Sequence, residues 1–222
     1  MAKDKIIIIG TSGHAKVVID VVEKEGKYEI LGLIDPIRKA GEETLGYKIL
    51  GDNSTIPELL KKNPDCKFFV AIGDNFIRGK VVQEILALFP EAAFITTIHP
   101  SAQIGKDVRI GNGVVIMAGA VINSSSTISD FTIMYTKSSL DHDNILGKYA
   151  SLAPNATTGG NVTIGDFSAI GISASIKHGV TMGSYCVLGG GSILLKNCEH
   201  KTLLYGVPAK KIRTRETGEK YL

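Results

Sequence analysis

Cysteine, tryptophan and net charge are all scarce in this chain of 222 residues. The three cysteines, Cys66, Cys186 and Cys198, form no CxxC pair, so we expect reduced thiols rather than a disulfide framework or a zinc finger. Net charge is only +3, which is too balanced for nucleic-acid binding. Aromatic residues make up 6%, whereas glycine reaches 25 residues. This composition favours small, tightly turned repeats.

Long apolar runs are also missing. The four isoleucines from Ile6 to Ile9 are too few for a signal-peptide core, and no later segment has the apolar length of a membrane span. We therefore expect a cytoplasmic protein without membrane insertion, folded as one or two domains.

A period of six residues runs through the second half. Steps of six from Ile98 to Leu194 meet an aliphatic residue or Met at sixteen of seventeen positions, with Thr158 as the exception. The position four residues after each is small or β-branched, and glycine directly follows the six-residue step position eight times between Gly105 and Gly189. An α-helix does not explain a period of six, because that period drifts around its 3.6-residue turn. We predict a β-helix with three strands per eighteen-residue coil, coils ~4.8 Å apart, no large inserted loop, and unusual φ angles at the glycines.

The first half alternates strands and helices. Ile6–Ile9, YEILGLID and CKFFVAIG predict three strands, and VVIDVVEKEG and FIRGKVVQEILALF predict helices. This order is typical of a small Rossmann-like α/β domain with a parallel sheet, which we place at residues 1–97, before a β-helix at 98–222 with a tail from about 197.

Ligands of such domains bind where the parallel strands end. The candidate substrate-binding residues at that edge are Gly10, Ser12, Gly13, His14, Asp35, Gly73 and Asn75. Ser12 and Ala15 replace two glycines of the dinucleotide fingerprint, so NAD is disfavoured, whereas a turn that leads into a helix N-terminus holds a phosphate group well. A tight turn without any ligand is the alternative interpretation.

His142 is the candidate general base, because the unperturbed pKa of histidine is near 6.5. It stands two residues after the inward-pointing Leu140, between Asp141 and Asp143. A neighbouring carboxylate would fix the ring tautomer and stabilise the imidazolium that forms. An exposed corner histidine without a catalytic role is the alternative.

Four segments carry a family resemblance: IIIIGTSGHAKVV, LDHDNILG, GGNVTIGDFSAIG and GVPAKKI, in this order. The chain resembles the hexapeptide-repeat family of sialic acid O-acetyltransferases and bacillosamine-type UDP-amino-sugar N-acetyltransferases. The resemblance implies a left-handed prism, a homotrimer, a nucleotide sugar on the N-terminal domain and acetyl-CoA between neighbouring subunits.

The resemblance also assigns residues. His142 and Asp143 match the catalytic histidine and the acidic residue after it, and Ser151 stands where the family often has a second histidine. It assigns acetyl-CoA to the residues around Gly160, Ala169, Ile172 and Gly190, together with Ser151. In the basic tail, Lys210 is a further candidate, for the CoA phosphates, and a solvated charged face is the alternative interpretation.

Zinc chemistry is a weaker alternative that a likeness to γ-type carbonic anhydrases suggests. His142 and His178 lie two coils apart, about 9.6 Å, which is too far to share one zinc ion. A third ligand would fall at Gly183, so we expect no metal.

The resemblance thus implies N-acetylation, by acetyl-CoA, of a nucleotide-linked 4-amino-4,6-dideoxy sugar, with UDP as the expected nucleotide, for surface glycan biosynthesis. O-acetylation of sialic acid or a related sugar is the alternative. A non-catalytic nucleotide-sugar sensor or scaffold is the alternative from a different class.

Overall fold

The computed structural model describes residues 3–221. The N-terminal part is a five-stranded sheet in the order β3-β4-β2-β1-β5, in which only the β3–β4 hairpin is antiparallel. Its elements are β1 (Asp4–Ile9), α1 (Gly13–Glu25), β2 (Tyr28–Ile34), β3 (Glu43–Thr44), β4 (Tyr47–Gly51), a 3₁₀ turn (Asn53–Thr55), α2 (Ile56–Lys62), β5 (Lys67–Val70) and α3 (Asn75–Leu88). The predicted α/β domain with a parallel sheet is confirmed, and the sequence interpretation missed β3, β4 and α2.

The centre of this sheet is fully apolar because helices cover both of its faces. Ile6, Ile7 and Ile8 in β1 have no exposed surface, as expected for a central parallel strand. The chain leaves β1 through Gly10, whose φ is 111° and whose missing Cβ would lie 2.7 Å from the carbonyl oxygen of Ala71. Only glycine fits this close strand-to-helix turn.

The second half is a left-handed parallel β-helix, which confirms the coil that the hexad pattern predicts and the hand that the family resemblance implies. Each coil contributes one short strand to each of three sheets, and partners eighteen residues apart stay in register, as in Val121↔Ser139. The strands are β6 (Thr97–Ile98), β7 (Gln103–Ile104), β8 (Arg109–Ile110), β9 (Val115–Ile116), β10 (Val121–Ile122), β11 (Thr127–Ile128), β12 (Ile133–Met134), β13 (Ser139–Leu140), β14 (Ile145–Leu146), β15 (Ser151–Leu152), β16 (Thr157–Thr158), β17 (Thr163–Ile164), β18 (Ala169–Ile170), β19 (Ser175–Ile176), β20 (Thr181–Met182), β21 (Val187–Leu188) and β22 (Ile193–Leu194). No loop interrupts this series between β6 and β22, so that prediction is confirmed.

We name the faces of this prism by their sheets. Face 1 holds β6, β9, β12, β15, β18 and β21, followed by the hairpin of β23 (Thr202–Gly206) and β24 (Ala209–Thr214). Face 2 holds β7, β10, β13, β16, β19 and β22, and face 3 holds β8, β11, β14, β17 and β20. Corner 1–2 comprises the turns 135–138, 153–156, 171–174 and 189–192. Corner 2–3 comprises 123–126, 141–144, 159–162 and 177–180, and corner 3–1 comprises 129–132, 147–150, 165–168 and 183–186.

The glycines that follow the aliphatic residues do not have the unusual φ that the sequence interpretation predicts. The positive φ angles fall two residues later, at residues such as Tyr149, Phe167 and Ser173. These positions are glycine because a side chain would collide with the next coil. A Cβ on Gly165, for example, would lie 2.5 Å from the backbone nitrogen of Ser184. Close stacking of consecutive turns, rather than backbone strain, therefore explains the glycine pattern.

The N-terminal domain rests on corner 3–1 and face 1 of the prism. Four rings at corner 3–1 stack with centroids 4.7–5.1 Å apart, and they belong to Phe131, Tyr149, Phe167 and Tyr185. Gly79 brings α3 against this stack, since a Cβ there would lie 2.6 Å from the Phe167 ring. Val115 and Ile133 of face 1 share a buried cluster with α1. These contacts direct the edge of the α/β sheet where the parallel strands end toward the prism.

Within residues 3–221, no helix combines the length and the apolar character needed to span a bilayer.

Candidate active site

His142 lies at corner 2–3, directly after the face 2 strand β13. Its Nδ1 is 2.7 Å from Oδ2 of Asp143, and the two side chains are 54% and 52% exposed. Asp143 has a φ of 56°, so the turn itself places its carboxylate beside the ring. In the tautomer with hydrogen on Nδ1, this N–H donates to the Asp143 carboxylate. Nε2 then carries a lone pair that can accept a proton.

The backbone beneath His142 is held by amide hydrogen bonds. Nδ2 of Asn144 donates to the carbonyls of Asp141, His142 and Gly159 at 2.6–3.2 Å. Gly160, in the next coil, leaves room for the imidazole, because a Cβ there would lie 2.4 Å from Nε2. The residue assigned to acetyl-CoA at position 160 therefore shapes the space around the base.

Charge at this corner favours the imidazolium. The hydrogen bond to Asp143 raises the pKa of His142 above its usual value, and the charge of Asp141 acts in the same direction. The pair therefore stabilises the positive charge that the ring acquires when it takes a proton.

A cavity of about 330 Å³ runs along face 1 and corner 1–2. Its walls are mostly apolar, and they include the side chains of Ala153, Pro154 and Val187. It contains five of the residues singled out from the sequence, namely Gly73, Ser151, Ala169, Ile172 and Gly190. We call it the face 1 cavity. An apolar channel of this kind suits a long, narrow ligand that carries a few polar groups.

Lys210 lies elsewhere. It lines a separate cavity of about 540 Å³ at the last coil of the prism, together with Lys196 and Lys211. Its position on β24 is several coils away from His142. The residues assigned to acetyl-CoA are therefore spread along the prism axis.

The turn after β1 forms the candidate nucleotide crevice. Ser12 is the N-cap of α1 but its hydroxyl makes no capping bond, and the space beside Gly13 is open. Asp35 accepts from the Thr11 hydroxyl and from the backbone N–H of Ile37. Desolvation of Asp35 favours the neutral acid, yet these hydrogen bonds hold its pKa below the ordinary value. The crevice thus combines free amides at a helix N-terminus with an organised carboxylate.

His14 faces the prism from the first turn of α1. Its ring is 5.5 Å from that of Tyr135, and neither ring nitrogen has a hydrogen-bond partner within residues 3–221. Burial lowers the pKa of His14 to about 3, and the charge of Arg78 acts in the same direction. The imidazole is therefore neutral near pH 7, and Tyr135 connects the crevice with the face 1 cavity that it also lines.

Asn75 is placed differently from the sequence interpretation. It is 1% exposed, and its side chain donates to the Ser168 carbonyl and accepts from Arg78. Both ends of its amide are thus engaged in joining α3 to the prism, and we correct its role from substrate binding to domain contact.

Arg78 is a central residue that sequence reasoning missed. It is 1% exposed and donates five hydrogen bonds, of which two go to the carbonyls of Phe131 and Tyr149 on the prism and two to those of Ile72 and Gly73. Its spacing with Val82 and Ile85 on the buried face of α3 was the available signal, because a cation on an apolar helix face needs a structural partner.

One chain does not bring His142 and the face 1 cavity together. His142 is at corner 2–3, whereas the cavity lies on face 1 and corner 1–2, so the whole of face 2 separates them. Among residues 3–221, no group of three His, Cys, Asp or Glu side chains is placed to hold a metal ion.

Known protein families and solved structures match both the N-terminal domain and the prism. The PglD N-terminal domain profile matches residues 5–85, and the bacterial transferase hexapeptide profile of six repeats matches residues 95–130. A histidine-to-asparagine variant of perosamine N-acetyltransferase from Caulobacter crescentus, solved with CoA and GDP-perosamine, is 34% identical with a TM-score of 0.87. The match covers 95% of this chain and 97% of that one. The acetyltransferase domain of PglB from Neisseria gonorrhoeae FA1090, solved with acetyl coenzyme A, is 31% identical with a TM-score of 0.85, over 95% and 100% of the two chains.

A curated relative is the UDP-N-acetylbacillosamine N-acetyltransferase of Bacillus subtilis (strain 168), which is 34% identical over 113 residues. That match covers 51% of this chain and 51% of the relative, about half the length of each.

Proposed function

Because the chain belongs to the family of sugar N-acetyltransferases that join a PglD N-terminal domain to hexapeptide repeats, we propose that it acetylates the amino group of a nucleotide-linked sugar with acetyl-CoA. The observation that carries the proposal is the exposed His142, oriented by Asp143 with Nε2 left free. Relatives with CoA or acetyl coenzyme A bound support the acetyl donor.

His142 has one proton to move in this reaction. Nε2 accepts a proton from the amine as its nitrogen attacks the thioester carbonyl, and Asp143 stabilises the resulting imidazolium. The tetrahedral intermediate then releases CoA, and the sulfur leaves as a thiol with a proton returned from the imidazolium. The amide product and free CoA balance the amine and acetyl-CoA consumed.

The donor is proposed to lie in the face 1 cavity. Ala169, Ile172 and Gly190 line its apolar part, where small residues allow a pantetheine arm to approach the backbone. Lys210, with Lys211 and Lys196 at the end of the prism, supplies cations suited to CoA phosphates. In this assignment the bound acetyl-CoA extends along the prism axis, from the face 1 cavity to Lys210 at the last coil.

A homotrimer completes the site in this proposal. Face 2 lies between His142 and the cavity within one chain, whereas a three-fold axis parallel to the prism brings corner 2–3 of one subunit to the cavity of the next. The active site then contains a base from one subunit and a donor cavity from its neighbour.

The sugar nucleotide is proposed to bind at Gly10, Ser12, Gly13, His14 and Asp35. Open amides at the α1 N-terminus suit a pyrophosphate, and the neutral His14 belongs to the first turn of the same helix. Relatives act on UDP-linked and GDP-linked sugars, so a UDP-linked 4-amino-4,6-dideoxy sugar stays a prediction.

Substitution of Gly13 tests the crevice. A leucine at position 13 enters open space, so the fold is expected to persist while the side chain blocks the helix N-terminus. We expect KM for the sugar nucleotide to rise roughly tenfold and KM for acetyl-CoA to stay unchanged, as measured by steady-state kinetics. Val17→Leu, one helical turn away and 40% exposed, is the matched control. Equal rises in both KM values for Gly13→Leu would contradict the assignment.

Thiol release identifies the acceptor. The purified protein is given acetyl-CoA with UDP-, GDP- and dTDP-linked 4-amino sugars and, separately, with sialic acid. Turnover with an amino sugar supports the proposal, turnover with sialic acid alone supports O-acetylation, and nucleotide-sugar binding without turnover supports the sensor alternative.

A further inference from the structure

The segment 215–221 returns from the last coil of the prism to α3. Nη1 of Arg215 donates to the carbonyl of Tyr185 at 3.2 Å, and its guanidinium lies 5.6 Å from the ring centroid of Tyr221. Gly218 permits close contact with Phe76 of α3, since a Cβ there would lie 2.7 Å from that ring. We call this segment the C-terminal strap, and it delivers Tyr221 to the wall of the face 1 cavity.

The hydroxyl of Tyr221 is held with its proton available. Its oxygen accepts the backbone N–H of Asn75 at 3.1 Å, at the N-terminus of α3. The Ser151 hydroxyl is close enough to influence its ionisation, but burial dominates and raises the pKa of Tyr221 to about 12. A hydroxyl whose oxygen already accepts a bond from a helix N-terminus is a stronger donor in the other direction. Tyr221 therefore stays protonated near pH 7 and can donate into the cavity.

Most hydroxyl groups of the cavity lining lie at one end. Tyr135, Ser151 and Tyr221 are at the end near Gly73, whereas the lining beyond them, from Ala153 toward the last coils, is mainly apolar apart from Tyr205, whose ring packs on Gly189. An apolar channel that ends in hydroxyl donors fits an alkyl arm whose terminal group has a carbonyl oxygen.

This polar end is level with the proposed base. Tyr135 belongs to the same coil as His142, and Ser151 of β15 pairs with Ile133 of β12 one coil earlier. A neighbouring subunit related by an axis parallel to the prism presents its own His142 at this level. The reacting carbonyl and the base thus meet where Tyr221 points.

We propose that Tyr221 donates a hydrogen bond to the carbonyl oxygen of the acetyl thioester, so that the C-terminal strap forms part of the donor site. The inference rests on the proposed acetyl transfer. As the N–C bond forms and the C–S bond breaks, this oxygen gains negative charge and then returns to a carbonyl, and Tyr221 keeps its proton throughout. The amine proton goes to His142, as before. A donor aimed at the developing oxyanion lowers the barrier to transfer.

Tyr221→Phe is the test, because it keeps the ring and removes only the hydroxyl. We expect kcat to fall about tenfold with the KM for the sugar nucleotide unchanged, since one hydrogen bond is lost in the transition state. Calorimetry should also show weaker binding of acetyl-CoA with unchanged binding of CoA, because CoA has no acetyl carbonyl. Purely structural support from Tyr221 would weaken both ligands alike.

Tyr185→Phe is the matched control, because it also removes one tyrosine hydroxyl, keeps the backbone carbonyl that accepts from Arg215 of the strap, and lies outside the cavity. It should keep the parental kcat. Tyr221→Leu is the second hydroxyl-free variant, used if Tyr221→Phe fails to assemble. A hydroxyl-free variant with parental kcat and parental preference for acetyl-CoA over CoA overturns the inference. A parental enzyme that transfers no acetyl group to any amino sugar overturns the proposed function instead.

Discussion

Replacement of His142 by alanine is expected to lower kcat by about 10²- to 10⁴-fold, the usual contribution of a general base. The protein should still fold, because the ring is about half exposed at a corner and does not fill the prism. KM for both substrates should change little, since the loss is confined to proton transfer. Thiol release measured at fixed times gives kcat and KM, and circular dichroism shows whether the variant is folded.

The pH dependence separates a base from a binding residue. The base must be neutral to act, so the parental kcat should rise with pH through the raised pKa of His142 and then level off. In Asp143→Asn the main cause of the raised pKa is gone, so this rise should move to lower pH while kcat on the plateau falls less than in His142→Ala. Part of the activity of His142→Ala should return above pH 8, where the amine itself loses its proton. A His142→Ala variant that binds both ligands and turns over at the parental rate would refute the mechanism.

The second large effect is recovery of activity in mixed trimers. His142→Ala lacks the base but keeps the cavity, and Ala169→Phe keeps the base but fills the cavity, since Ala169 points out of face 1 while Ile170 points in. Each variant alone should be nearly inactive. In a three-fold ring, every mixed trimer pairs an intact base with an intact cavity at one of its three sites, so isolated mixed trimers should restore about a third of kcat.

Co-expression with two affinity tags isolates the mixed trimers for this measurement. Mixing the purified homotrimers without exchange of subunits is the control and should give no recovery. If each site instead lies within one chain, no mixed trimer contains an intact site, and absence of recovery would rule out the shared site.

The sequence alone determined the prism and the corner position of His142, the proposed base. A hexad repeat is a local pattern, and burying one aliphatic residue every six positions has one simple solution, so register and coil length followed without knowledge of distant contacts. The same pattern placed His142 outside the core, next to the carboxylate of Asp143. Three strands and two helices of the first half followed from apolar periodicity, whereas the two-residue β3 and the five-residue β4 are too short to carry such a signal.

Only the tertiary structure decided how distant segments meet. Hydrogen bonds join residues that are 53 to 146 positions apart in the chain. Arg78 donates to Phe131 and Tyr149, Asn75 donates to Ser168, and the Tyr221 hydroxyl accepts from the N-terminus of α3. No local pattern encodes such pairings, because they depend on which corner of the prism the first domain covers. The same holds for the separation of His142 from the face 1 cavity by face 2, since periodicity fixes which residues point outward but not which outward surfaces form one site.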